Sequence, residues 1–600
     1  MADQATAQRA PAVPRRLNQW IIQAPQALRA LVRADEVWLV VLAAVAGSAA
    51  GLCVAAMNDS TQLAHQILFG LPIRQRLSSA LSLDPLRTVA VTTFGGLSVG
   101  GLGWVIARWW ARRPIDPIEA NALYGGQMSV RDSLVVVGQT MASNAVGASV
   151  GLEAGYTQIG AALAARMGRA FRLRRADQRV LLGCGAAGAI AAAFHAPLTG
   201  AFYAFELVIG TYSLANLAPV MGAALSAIAM TNLLSVSPYG FDVQVPTVVP
   251  GRDYPPLLVI GLAAALVGIA LMRGVTLTED LFRRSRTPAW LRPAIGGLLL
   301  GLMALISPQM LSSGHGALEV GMDAPYALGQ VAMLLALKAT ASAISLGAGF
   351  RGGLFFASLF LGALLGKLLA ALLALAAPEH AIPDVVCAVV GMSALAVAVV
   401  GGPLTMSFLA LESTGSLPLT AAVVAASVLS ALTVRRTFGY SFATWRFHLR
   451  GEAIRSAVDV GWVRNLTVGR MMRRDIRTVR NTTTVGSFRR DFPLGGNTRA
   501  VLVDEADRYA GIVQVAEAHA ETVDASSTVR DIAHLTRDML LPQMTVKDAV
   551  ALFETTESDA LVVVDGVDSR AVIGLLTEQH ALRRYSEELD RRRRDLSGET

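Results

Sequence analysis

Long uncharged apolar stretches alternate with short Arg-rich ones over the first three quarters of this chain. A helix that crosses a bilayer needs about 20 consecutive, mostly apolar residues. Stretches of that order run over residues 37–58, 88–107, 133–152, 180–205, 207–241, 254–272, 293–318, 385–411 and 413–434. Several are long enough, and broken enough by Gly and Pro, to hold two helices. The pattern predicts ten to eighteen membrane helices, some too short to span. Past residue 440 the period changes. Short β-rich runs (RAVLVDE, AGIVQV, ALVVVDG, AVIGLL) alternate with helical ones (TVKDAVALFETTES, EQHALRRYSEEL), which predicts two small α/β units at 464–519 and 533–586.

Composition sharpens this division. The chain is 53% hydrophobic and 16% charged, against about a quarter charged in ordinary soluble domains. The last 160 residues carry 24 of the 44 acidic and 23 of the 52 basic side chains, so the front is membrane-like and the back soluble-like. Basic clusters at Arg15 and Arg16, Arg108 to Arg113, Arg166 to Arg179, Arg283 to Arg286 and Arg435 to Arg450 mark a cytoplasmic side. The net charge of +8 is therefore topology information, not a nucleic-acid footprint. Residues 1–34 read as a cytoplasmic arm with an amphipathic stretch at 17–31, and no signal peptide is expected before Val37. Residues 587–600, with Arg591 to Arg594, read as a solvated or headgroup-facing tail. Three cysteines, with no CxxC pair, argue against a disulfide framework or a zinc site.

The membrane part contains echoes of itself. PLTGAFYAFE at Pro197 to Glu206 and PLTMSFLALE at Pro403 to Glu412 agree at six of ten positions with an offset of 206, which Gly185 and Gly391 share. A second echo, offset by 198, aligns Gly151 to Gly155 with Gly349 to Gly353. Together they predict two related halves, about 35–270 and 290–440. Halves of this kind form transporters whose site is lined by the ends of broken helices.

One carboxylate stands out. Glu153 lies in VGASVGLEAGYTQIG, where an ionised acid costs about 2.5–3.5 kcal/mol at helix centre and so faces a cavity or partner. The surrounding glycines let backbone approach a ligand and let helices begin inside the protein. A helix N-terminus with unpaired N–H groups is an anion site, and a carboxylate beside it mimics an anion and gates that site. The alternative is a salt bridge to Arg351. In SLGAGFRGGLFF, Gly352 and Gly353 can bend the chain so that the Leu354 and Phe355 amides point at a ligand. Glu206 and Glu412 follow their prolines by nine residues and can cap a helix end.

These residues resemble the CLC family of chloride channels and proton-coupled chloride antiporters. Its Gly-Arg-Glu-Gly-Pro element is similar to Gly151, Leu152, Glu153, Ala154, Gly155, continuing to Gln158, which implies that Glu153 is the gate. Its Gly-Ile-Phe element resembles Gly353, Leu354, Phe355, whose amides would bind the anion. Its late Tyr looks like Tyr440, and its Ala-Pro-Leu-x-Gly segment is matched by Ala196, Pro197, Leu198 and Gly200. The family's Gly-Ser-Gly-Ile-Pro loop corresponds only loosely to Arg113, Pro114, Ile115, Asp116, Pro117, with Pro114 at the Ser position. The resemblance implies an all-α polytopic membrane protein of two inverted helical repeats over 35–450, followed by a cytoplasmic α/β pair of CBS domains. It further implies a homodimer in the cell (inner) membrane, with the N-terminus and CBS pair cytoplasmic. Chloride or a similar small anion is the expected ligand, with no cofactor required and no nucleic acid bound.

Two departures bear on mechanism. Antiporters of the family carry a proton-transfer glutamate ten residues after the Pro of the Ala-Pro-Leu element. Here that residue is Leu207, with Glu206 one earlier. One helical step turns a side chain by about 100°, so Glu206, the candidate proton-path carboxylate, is no automatic substitute. Channel-like, uncoupled anion movement is the preferred reading and proton-coupled antiport the alternative. In the CBS pair the closing Gly-x-x-Thr-x-x-Asp is incomplete: Gly511 leads to Gln514 and Glu517, and Gly574 to Thr577 and His580. Adenine nucleotide binding is thereby weakened and a dimerising module is the alternative. An intramembrane enzyme would want a motif such as HExxH, which the sequence lacks. The Ser and His of SSGHG at 312–316 read as a loop bend, and a mere anchor for CBS sensing needs no membrane carboxylates.

Overall fold

The computed structural model describes residues 36–584 apart from 74, 111–113, 235–244, 246–247, 440, 443, 446–466 and 496–497. The N-terminal arm, Tyr440 and the charged tail thus lie outside the described residues. The chain divides into two compact units, Met1–Asp459 and Val460–Thr600.

The first unit is helical. In order it contains α1 (Glu36–Phe69), α2 (Pro85–Trp109), α3 (Pro117–Leu123), α4 (Val130–Ala145), α5 (Glu153–Ala170), α6 (Arg175–Phe194), α7 (Pro197–Tyr203) and α8 (Leu214–Leu233). There follow α9 (Tyr254–Arg284), α10 (Arg292–Ile306), α11 (His315–Asp323), α12 (Leu328–Gly347), α13 (Phe355–Ala376), α14 (Asp384–Val400), α15 (Pro403–Thr414) and α16 (Leu417–Thr437). Among the described residues, seven helices are long and apolar enough to cross a membrane; the others are shorter or less apolar. Large apolar side chains such as Phe94, Leu225, Leu266 and Leu277 stay exposed on the outer helices. On a water-soluble surface that would be a liability, whereas against lipid it is the expected finish.

Helices α5, α6, α13 and α14 are buried along most of their length. They approach so closely because their contact faces are glycine. At Gly160 and Gly185 a Cβ would strike the other residue's carbonyl, and Gly362 and Gly391 repeat the arrangement in the second half. Small-residue crossings of this kind replace the hydrophobic driving force that membranes lack.

The two halves meet about an approximate twofold. Phe202 of α7 stacks on Phe408 of α15, ring centroids 4.2 Å apart, and these are the matching phenylalanines of the two PLT segments. The Glu412 carboxylate accepts from the N–H groups of Leu198 (2.7 Å) and Thr199 (2.8 Å) and from the Thr199 hydroxyl (2.6 Å). Reciprocally, Glu206 accepts from the N–H groups of Leu404 (3.0 Å) and Thr405 (2.8 Å) and from the Thr405 hydroxyl (2.6 Å). Each C-terminal acid caps the other helix's start, so α7 and α15 run antiparallel, as inverted repeats require.

The second echo needs correction. The structure pairs the loops before α5 and α13 at an offset of 202, not 198. Gly151 and Gly353 form an antiparallel bridge, with Gly151 N–H to Gly353 O at 2.8 Å and Gly353 N–H to Gly151 O at 3.1 Å. Gly147 and Gly349, each four residues earlier, both have positive φ (85° and 100°). Leu152 and Leu354 are the N-cap residues of α5 and α13. Glu153 is therefore the structural counterpart of Phe355.

The second unit is α/β. Strands β1 (Thr478–Arg480), β2 (Arg499–Val503) and β3 (Tyr509–Gln514) form one sheet in that order, β1 parallel and β3 antiparallel to β2. Strands β4 (Ala560–Val564) and β5 (Val572–Thr577) pair antiparallel, and Leu540 bridges Val563 in parallel, repeating the first sheet's plan. The boundary differs from the sequence division. Val468 and Met471 pack with Val546, Phe553 and Leu561, and Arg473 exchanges backbone hydrogen bonds with Leu575. The segment at 467–473 therefore completes the second module's core.

Candidate functional site

The first unit holds a cavity of about 660 Å³ on which its broken helices converge. Pro114, Ile115, Asp116 and Pro117 line it before α3, Glu153 and Ala154 at the start of α5, and Leu354 and Phe355 at the start of α13. Arg351 and the glycines at 352 and 353 line it as well. The sequence-predicted residues Glu153, Leu354, Phe355, Pro114, Gly352 and Gly353 are thus brought to one place. Tyr440 lies outside the described residues.

The helix starts differ in how they are finished. Asp116 caps α3 by accepting from the Ile118 N–H at 2.8 Å. Among the described residues no side chain caps α5 or α13, whose N-cap residues Leu152 and Leu354 are both buried. The first N–H groups of a helix have no partner within it. Two uncapped, buried N-termini joined back to back through the Gly151–Gly353 bridge therefore concentrate donors and partial positive charge at one spot.

Glu153 sits at that spot as the first residue of α5. It is 3% exposed, and neither carboxylate oxygen has a hydrogen-bond partner among the described residues. Leaving a buried carboxylate unpaired is costly, so its state must respond to a proton, a cation or a competing anion. Its side chain folds back over Gly151, where a Cβ would collide with the carboxylate. The other motif glycines divide. At Gly352 a Cβ would strike the Val150 side chain at 2.6 Å, and at Gly155 the Met57 methyl at 2.9 Å. At Gly353 it would find ordinary contacts from 3.5 Å outward.

Polar side chains hold this loop. Asn144 donates from Nδ2 to Val150 O at 2.6 Å, and Ser345 Oγ accepts from the Ser149 N–H at 2.9 Å. Ser143 Oγ accepts from the Arg351 N–H at 3.0 Å. Gln158, one and a half turns past Glu153, donates from Nε2 to Ile115 O at 2.8 Å and so ties the Pro114 loop to α5.

Leu207 and Glu206 face different ways. Leu207 lines the cavity, whereas Glu206 is spent on the start of α15. The sequence reading missed two residues. Tyr203 lines the cavity and packs beside Phe355, ring centroids 6.2 Å apart. His315, read as part of a loop bend, brings Nε2 to 4.0 Å from Glu153 Oε1. Only the hydroxyl of the first and the Ser-His pairing of the second were visible in sequence.

This arrangement, a buried acid between two opposed helix starts in an apolar-surfaced bundle of inverted halves, defines a class of polytopic membrane protein built to handle small anions. The family model described as "Voltage gated chloride channel" matches residues 94–435, and the chain belongs to that family. It is 31% identical over 410 residues, 66% of this chain and 94% of the relative, to a Ralstonia nicotianae protein named for its likeness to the chloride channel ClcB. It is 30% identical over 397 residues to the voltage-gated ClC-type chloride channel ClcB of Salmonella dublin, covering 65% of this chain and 95% of that one. Among solved structures, a slow cyanobacterial Cl−/H+ antiporter shares the fold with a TM-score of 0.59 at 20% identity, over 69% of this chain and 97% of its own. A eukaryotic CLC transporter does so with a TM-score of 0.58 at 16% identity, over 92% of this chain and 98% of its own. The chain is a membrane protein of a channel and transporter family.

Proposed function

We propose that this chain moves chloride or a similar small anion across a membrane, with Glu153 as the gate. The observation that carries this is the pair of buried helix starts at Leu152 and Leu354, uncapped among the described residues, opening on one cavity with a carboxylate between them that has no hydrogen-bond partner there. The N–H groups of Leu354 and Phe355 suit an anion, and the Tyr440 hydroxyl is the further donor expected from the motif. Pro114 offers no N–H, so anion choice on that side falls to the neighbouring loop. Protonated, or displaced by an anion, Glu153 leaves the donors free.

Movement is uncoupled in this reading. Leu207 stands at the cavity where a proton-carrying acid would be needed, and Glu206 is held as a helix cap by three hydrogen bonds. Proton-coupled exchange is the second reading, favoured by the sharing of this fold with a slow cyanobacterial Cl−/H+ antiporter and a CLC-type fluoride/proton antiporter. Recording anion and proton movement together from proteoliposomes separates the two. Passive chloride release without uphill proton movement is expected; steady uphill proton transport would overturn the uncoupled reading.

The second unit we read as a tandem CBS pair that regulates or dimerises the protein. Glu517, in the incomplete closing motif, is engaged by His534 at 2.6 Å, which leaves adenine nucleotide a poor fit at that acid. Equilibrium dialysis of the full-length protein against ATP tests this, with no saturable binding expected.

A further inference from the structure

Beside the large cavity lies a small polar one of about 30 Å³, room for a single water molecule. Its lining includes His65, Arg76, Asn144, Leu152, Ser313 and His315. Among the described residues the two cavities share no lining residue, and they abut at adjacent positions of the chain. Leu152 lines the small cavity and Glu153 the large one. His315 spans the gap, since it lines the small cavity while its Nε2 lies 4.0 Å from Glu153 Oε1.

The surroundings of the ring fix it. It stacks on Phe356 with centroids 3.4 Å apart and planes at 23°. It begins α11, just after Gly314 in the left-handed region (φ 99°). Its Nδ1 is hydrogen-bonded to the Ser313 hydroxyl. A neutral imidazole donates from one nitrogen and accepts at the other. With a carboxylate facing Nε2, the favoured tautomer carries its proton there, and Ser313 donates to Nδ1. The ionisable groups facing His315 are Glu153 from α5, Arg76 from the loop before α2, Lys338 from α12 and His65 across the small cavity. Arg76 is itself paired with Glu319 at 3.6 Å. Lys338 donates to Met310 O at 3.2 Å and Ser312 O at 2.8 Å, so it braces the loop that carries Ser313.

We propose that His315 is the proton partner of the gate, passing protons between the small polar cavity and Glu153. The proposal rests on Glu153 gating an anion path. The step balances as a relay: a proton arrives at Ser313 Oγ from the cavity, the hydroxyl proton moves to Nδ1, and the Nε2 proton moves to Glu153 Oε1. The ring ends in its other tautomer, no charge is left on it, and the carboxylate becomes a neutral acid. A closure of about 1 Å brings Nε2 and Oε1 within hydrogen-bond range. His315 touches the gate and not the anion, so it sets how the gate acquires its proton.

The test is chloride efflux from proteoliposomes after a step from neutral to acid pH. It compares the unaltered protein with His315→Gln, Ser313→Ala, Glu153→Gln and the double variant Glu153→Gln/His315→Gln. The expected result is that His315→Gln slows the response to the step on the order of tenfold or more, as loss of a positioned proton donor does. Ser313→Ala slows it less, and the double variant matches Glu153→Gln because its gate no longer titrates. A His315→Gln protein that follows the step at the unaltered rate overturns the proposal. If His315→Gln fails to fold, Ser313→Ala decides, and an unaltered rate there overturns it equally. Absence of any efflux from the unaltered protein would instead defeat the transport reading, a distinguishable outcome.

Discussion

Glu206 and Glu412 each close the other's half of the molecule: one caps the start of α15 at Leu404 and Thr405, the other the start of α7 at Leu198 and Thr199. The exchange fixes the approximate twofold on which the cavity is built. It also takes Glu206 out of the proton chemistry that its neighbour's position would suggest.

Removing either acid orphans helix N–H groups, so Glu206→Ala and Glu412→Ala should each cost about 1–3 kcal/mol. Thermal unfolding in detergent checks this, and Glu206→Gln should recover part of the loss. Flux through surviving Glu206→Gln protein should keep its pH dependence. A proton-path role for Glu206 would change it.

Gly151 gives the gate its resting place. The nearest atoms a Cβ there would meet belong to the far end of the Glu153 side chain, so Gly151→Ala should leave the fold intact and push the carboxylate off its site. Chloride efflux at neutral pH should then rise towards that of Glu153→Gln, measured with the same vesicles.

The glycine crossings should rank by what a Cβ would meet. Gly185→Val and Gly391→Val drive a side chain into a facing backbone carbonyl, whereas Gly353→Ala meets ordinary contacts. Fluorescence-detected size-exclusion chromatography should show the first two aggregated or absent and the third monodisperse.

In the second unit, the turn after β4 has a built-in acid sensitivity. The Asp565 carboxylate accepts from the Ser569 hydroxyl and from the Ala571 N–H at 3.0 Å, and these bonds hold its pKa below the usual carboxylate value. A depressed folded pKa means the stabilisation is present above the unfolded value and is lost as pH falls through the folded one. The protection factor for hydrogen exchange at Ala571 in the full chain, its rate relative to the intrinsic one at the same pH, should therefore fall on acidification below about pH 4, and Asp565→Asn should remove that dependence.

Much of this was legible in the sequence because the chemistry repeats in plain letters. PLT followed by Glu occurs in both halves, and it is these Thr and Glu residues that bind each other. The loop pairing at 202 was also written, as Gly-x-x-x-Gly-Leu at Gly147 to Leu152 and Gly349 to Leu354. Counting identities at 198 hid it, since what aligns is the positive φ of the first glycine and the helix start after the second. Leu207 beside Glu206 was plain in the sequence, but the opposite facing of Glu206 depends on a helix two hundred residues away. His315 had no local signal beyond its nearness to Ser313. It reaches Glu153 only because Lys338 and Phe356 hold its loop against α5, and long-range packing of that kind leaves no periodic trace.

Competition between Glu153 and small anions for the helix starts at Leu152 and Leu354 should be visible in chloride efflux from proteoliposomes across acid to neutral pH, for the unaltered protein and Glu153→Gln. Efflux from the first should depend on pH, and efflux from the second should be equal at every pH. Glu153→Gln vesicles with unchanged pH dependence, or unaltered protein that holds chloride as tightly as empty vesicles throughout, would contradict it.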